Sequence, residues 1–152
     1  MKKYRLTEET TKVGNRPLYR IQALRDFGNV KEGDIGGYIE SEKNLSQDGN
    51  AWVSGDARVY GNACVYGNAR VYGNADIKTT GDICSMSGFG SEYRTTTAFR
   101  TKNGDVHVSC GCFQGNLEAF CQRVESTHGN NLYGREYKKM IEMLKIHFEV
   151  EP

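Results

Sequence analysis

The hydrophobic positions are most regular over residues 51–86, where they recur every six residues. Read in sixes from Ala51, the third place holds Val53, Val59, Val65, Val71, Ile77 and Ile83. The first place holds Ala51, Ala57, Ala63, Ala69, Ala75 and Gly81. A hexapeptide period of this kind predicts a parallel β-helix. Each six supplies a short strand with one aliphatic residue inward, a small residue two places before it, and a Gly/Asn corner. Three sixes complete a triangular coil, so residues about 18 apart stack. The expected stacks are Val53 with Val71, Val59 with Ile77 and Val65 with Ile83, with Arg58 beside Asp76 outside. The second and fourth places point outward. Trp52, Arg58, Tyr60, Tyr66, Arg70 and Tyr72 are therefore the candidate oligomer or partner surface.

The flanks follow other periods. Residues 3–24 read as a hairpin or two short strands with a Val-Gly-Asn turn signal between them, strand being favoured over a short helix for 18–24. Residues 1–50 read as N-terminal strands and a cap or first irregular coil, with Ile35, Ile39 and Leu45 as its core. The six-residue period stops after Met86. Residues 87–91 read as a link, 93–101 as a strand and 106–113 as its return strand. Asn103-Gly104 is the two-residue hairpin loop between them. That loop pairs Arg100 with His107, Phe99 with Val108 and Thr97 with Cys110. One face then carries Thr95, Thr97, Phe99, Val106, Val108, Cys110 and Cys112. The other carries Arg94, Thr96, Ala98, Arg100, His107 and Ser109. Asn116 caps a helix with Leu117, Phe120, Cys121 and Val124 on its apolar side. A last helix covers about 134–148. The fold class expected is mainly β: a short left-handed parallel β-helix (51–86), an N-terminal β cap (1–50) and a small C-terminal α+β domain of ββαα type (87–152).

Composition changes this picture little. Eighteen glycines and two prolines in 152 residues suit repeated tight turns. A net charge of +1 gives no preference for polyanions. Arg58 and Arg70 are offset by Asp76 and Asp82, so nucleic acid is not an expected partner. No apolar run is long enough to span a bilayer. The charged start lacks a following apolar stretch, which predicts a cytoplasmic protein with its five cysteines reduced. Cys110, Cys112, Cys121 and His128 have the spacing C-x-C-x8-C-x6-H. Structural zinc sites favour ligand pairs two to four residues apart, so these cysteines read as packing residues. No metal, cofactor or catalytic residue is assigned. The ligand-binding candidates are Arg94, Thr96, Arg100, His107 and Ser109, whose guanidiniums, imidazole and hydroxyls suit a phosphate. Acyl transfer is the enzyme alternative. Against it, no histidine precedes His107 and the coils are few.

The stretch GDIGGYIESEKNLSQDGNAWVSGDARVYGNA, the upstream LYRIQALRDFG and the tail TKNGDVHVSCGCFQGNLEAF with THGNN and REY carry a resemblance. The chain resembles hexapeptide-repeat proteins of bacteriophages and prophages with a C-terminal CGCF domain. That resemblance implies a left-handed β-helix, often oligomeric, acting in the host cytoplasm. It brings no catalytic residues. The expectation that follows is a non-enzymatic homo-oligomer, a trimer by preference, which counters host defence. It would do so by binding a host defence protein or a phosphate-bearing nucleotide. A virion or assembly component is a further alternative.

Overall fold

The computed structural model describes residues 1–150. The chain divides into two compact units, Met1–Ile83 and Cys84–Pro152. Among the described residues, eleven strands lie in three sheets, and two α-helices follow them.

The first unit opens with a long antiparallel hairpin, β1 (Tyr4–Val13) and β2 (Arg16–Ala23). Gly14 turns it at a φ of +60°, where a side chain would be strained. The strand β3 (Ile35–Ile39) pairs antiparallel with β2. Four two-residue strands come next: β4 (Trp52–Val53), β5 (Arg58–Val59), β6 (Arg70–Val71) and β7 (Asp76–Ile77). The sheet order is β1-β2-β3-β5-β7, and β4 and β6 pair separately.

The parallel β-helix expected as the fold class is not what forms. The five-stranded sheet is mixed: its first three strands are antiparallel, and only β3-β5 and β5-β7 are parallel. The physical reason is the length of the strand-forming part of each six. Two-residue strands build little sheet of their own: β5 and β7 extend one that the longer hairpin begins, and β4 and β6 form only a two-stranded pair. The pairing offset is nevertheless the expected one. Val53 pairs with Val71 and Val59 with Ile77, 18 residues apart. The first-place alanines and third-place valines up to Ile77 are buried. Ile39 and Leu45 are buried as expected, whereas Ile35 is 54% exposed.

The second unit contains the sheet β11-β10-β9-β8. Its strands are β8 (Ile83–Phe89), β9 (Arg94–Arg100), β10 (Val106–Cys110) and β11 (Phe113–Asn116). The helices α1 (Leu117–Thr127) and α2 (Leu132–His147) complete it. Two strands more than expected are present. Residues 87–89, expected as a link, belong to β8, and Gly111-Cys112 turns β10 into β11. Asn116 and Asn131 cap the helices by accepting from Ala119 N (2.8 Å) and Gly134 N (2.9 Å). Ala98, Val106, Val108 and Cys110 of the sheet share one core with Phe113, Phe120, Val124, Tyr137, Ile141 and Leu144.

The β9–β10 register differs by one residue from the expected one. Arg100 pairs with Val106, Phe99 with His107 and Ala98 with Val108. Thr101 N donates to Asp105 O and Gly104 N to Thr101 O, each at 3.0 Å. The loop is therefore three residues long, Lys102-Asn103-Gly104, with Gly104 at a φ of +79°. A slip of one residue exchanges the faces of one strand relative to the other. Arg94, Thr96, Ala98 and Arg100 join Val106, Val108 and Cys110 on the face that carries the helices. Thr97 and Phe99 join His107 and Ser109 on the other.

No helix among the described residues is long and apolar enough to cross a membrane.

Candidate ligand pocket in the C-terminal unit

The register decides where the candidate side chains go. Arg94 is the first residue of β9, at one end of the helix-covered face. Its guanidinium lies over Gly111, in the β10–β11 turn, at a φ of +59°. A β-carbon at residue 111 would overlap that guanidinium. The glycine thus provides both the turn and the space. Arg94 then lines a cavity of about 270 Å³ within the second unit.

The rest of this cavity comes from α1 and α2. Phe120, Arg123, Val124 and Thr127 follow the i, i+3, i+4, i+7 spacing and present one stripe of α1 to it. Arg123 holds its guanidinium 5.3 Å from the Phe113 ring centre, a cation–π distance. His128, the C-cap residue of α1, stacks on Tyr137 at 5.9 Å and 20°. Phe113, Phe120 and Tyr137 form an aromatic floor with centre distances of 5.3 and 5.7 Å. At one end, Thr96 donates to Cys110 Sγ (3.3 Å), and Tyr137 donates to Phe89 O (3.4 Å). The Tyr137 hydroxyl also lies 3.6 Å from Cys110 Sγ. Burial, reinforced by that sulfur, holds the Tyr137 hydroxyl far above the usual tyrosine range. It is therefore a fixed, neutral hydrogen-bonding group at any ordinary pH.

Neither Arg94 nor Arg123 pairs with a carboxylate among the described residues. Glu92 is the one carboxylate on the cavity wall, against two guanidiniums. The wall is thus cationic above an apolar floor. The arrangement suits a small anion that carries a flat apolar part.

The five ligand-binding candidates do not come together. Thr96 is buried and engaged with Cys110. Arg100 lies at the far end of the same face, 5.1 Å over the Phe148 ring, and donates to Phe148 O (3.4 Å). His107 and Ser109 are on the opposite face. Arg94 alone reaches the cavity. Arg123, His128 and Tyr137 were missed, although the stripe 120-123-124-127 places Arg123 beside the apolar face that the sequence does reveal. Cys110 and Cys112 line the same cavity as His128. No cluster of three or more His, Cys, Asp or Glu side chains able to hold a metal occurs among the described residues.

The candidate oligomer surface is also redistributed. Trp52 is buried, with edge contacts to Phe27 (5.3 Å) and Tyr4 (6.5 Å). It packs against Gly36, where a β-carbon would come within 2.7 Å of its ring. Tyr60 is buried under Arg16. Arg58 pairs with Asp76 at 3.2 Å, and Arg70 faces the Asn29 side-chain amide. Tyr72 is half-buried, and Tyr66 is exposed. Of these six outward places, the N-terminal segments cover Trp52 and Tyr60, Arg58 and Tyr72 are partly buried, and Tyr66 and Arg70 stay exposed.

No family model matches the chain. An alignment of 61 positions, which covers 35% of this chain, is 39% identical to an "Uncharacterized acetyltransferase YdcK" of Escherichia coli strain K12. The chain spans only 19% of that protein's length. The match gives no support to the bacteriophage and counter-defence reading expected above, which is accordingly set aside.

Proposed function

We propose that the protein binds a small phosphate-bearing molecule in the cavity of its C-terminal unit. The observation that carries this reading is the pair of carboxylate-free guanidiniums, Arg94 and Arg123, facing one cavity with an aromatic floor. A phosphate would take charge-assisted bonds from both arginines, and a base-sized ring would lie against Phe113 and Phe120. The cavity volume suits a nucleoside monophosphate better than a larger cofactor. Calorimetric titration with adenosine monophosphate and with inorganic phosphate tests this. Arg94→Ala should weaken binding about ten- to a hundredfold, the worth of a hydrogen bond to a charged group. Gly111→Ala should weaken it by displacing the same guanidinium. If neither probe binds the wild-type chain, the reading fails.

Acetyl transfer is the second reading, favoured by the match over 61 aligned positions. It predicts that acetyl-CoA stabilises the protein and that thiol is released when acceptor amines are added. Heat stabilisation by adenosine monophosphate without any thiol release separates binding from transfer.

A further inference from the structure

The helix α2 carries two stripes. The buried one, through Tyr137, Met140, Ile141 and Leu144, belongs to the core. A second stripe runs through Leu132, Glu136, Lys139 and Met143. Their intervals of four, three and four residues place them along one side of a helix. Leu132 is 59% exposed and Met143 53%. Beside this stripe lies a groove of about 390 Å³, walled by Met86 and Phe89 of β8 and by Met140 and Met143 of α2, with Glu136 and Lys139 at its rim. The groove walls are almost wholly apolar, and methionines are suited to lining an adaptable contact. The strand β8 is also an edge strand of its sheet.

We propose that this face binds a second copy of the same chain, two-fold and antiparallel along α2. The order of chemistry along the stripe argues for that occupant. It reads apolar, acidic, basic, apolar, with each apolar residue four places outside the nearer charge. Two antiparallel copies therefore set Leu132 against Met143 and Glu136 against Lys139 in both directions at once. A stripe with this symmetry is complementary to itself, as an isologous interface requires. Leu132 and Met143, with Phe89 beside them, supply the desolvated apolar contacts on either side of the two-fold axis, and the two charge pairs next to the axis fix the register. The charges remain available for this. Lys139 contacts Glu142 only as an exposed pair at 3.3 Å, and Glu136 receives one backbone bond, from Gly90 at 3.2 Å. The interface closes with two subunits, unlike the trimer expected from the repeat.

Native mass spectrometry and equilibrium sedimentation of the full chain test this at tens of micromolar. The expected mass is twice that of the chain, falling to one chain in Met143→Glu with the circular dichroism spectrum unchanged. Glu136→Lys and Lys139→Glu should each lose the dimer, and an equimolar mixture of the two should regain it as a heterodimer. In that mixture every pair is again of opposite charge. A monomeric wild-type chain overturns the proposal. So does a dimer that survives Met143→Glu, or a mixture of the two charge variants that stays monomeric.

Discussion

Val59 and Val108 are both wholly buried valines, but they owe their positions to different things. Val59 occupies the third place of a six. Its neighbours 18 residues along repeat its chemistry, so a local error in alignment is resisted by every adjacent six. Val108 belongs to a strand whose partner is chosen by one loop. The comparison teaches that repetition stores register many times over, whereas an aperiodic sheet stores it once. In the second unit that single place is Lys102-Asn103-Gly104, and through it the loop decides which side chains of β9 face the ligand cavity.

The strongest way to break this comparison is to burden the side of β9 that the register turns inward. Ala98 is wholly buried in the core shared with α1 and α2, so Ala98→Asp would bury an unpaired carboxylate. The second unit should lose its cooperative thermal transition, while the first keeps its own. Two calorimetric transitions in the wild type and one in the variant are the expected outcome. A variant that melts as the wild type does would show that β9 can slip by one residue and turn residue 98 outward.

A pair of glycine substitutions sharpens the periodic side. Gly55 and Gly73 have almost the same φ, +65° and +67°. A β-carbon at Gly73 meets nothing within 4 Å, whereas one at Gly55 comes within 3.1 Å of Gly73 N. Gly73→Ala should cost about 1–2 kcal/mol, the left-handed backbone term alone. Gly55→Ala should cost more, because the next turn must also move. Urea unfolding of both variants measures the difference, and equal losses would remove the stacking contribution.

The smallest expected effect is a slope with pH. Lys3 is fully buried, with Nζ donating to Ala51 O (2.8 Å) and lying 5.0 Å from the Phe27 ring centre. Burial, with Arg25 nearby, lowers its pKa from 10.5 to about 8. Between those values the unfolded chain holds the proton and the folded chain does not. Stability therefore rises with pH across that window, as a penalty present below pH 8 is relieved. Tyr4 acts in the opposite sense. Burial raises its pKa, so the unfolded chain loses that proton first and stability falls again once tyrosines ionise. Lys3→Met should flatten the rise from pH 8 upward in urea-midpoint measurements. A variant that keeps the wild-type slope would assign it to another group.

Much of this was legible along the chain, and the failures have physical causes. The period of six identified the buried alanines and valines and the 18-residue pairing offset, because those depend only on spacing. The Asn116 cap and the apolar stripes located both helices, because caps and stripes are local. Spacing could not say that Trp52 and Tyr60 are covered, since what covers them, Tyr4, Phe27 and Arg16, comes from distant segments. Nor could it give the sheet to which β5 and β7 belong. The strand β3, itself antiparallel to β2, is the template, and two-residue strands carry no preference of their own. The ligand cavity shows the same division. The sequence determined that Arg94 lies near the start of a strand and that Leu117, Phe120, Cys121 and Val124 form an apolar helix stripe, beside which Arg123 falls. Only the tertiary structure decided that both face one cavity, because a one-residue difference in a loop selects the face of a whole strand.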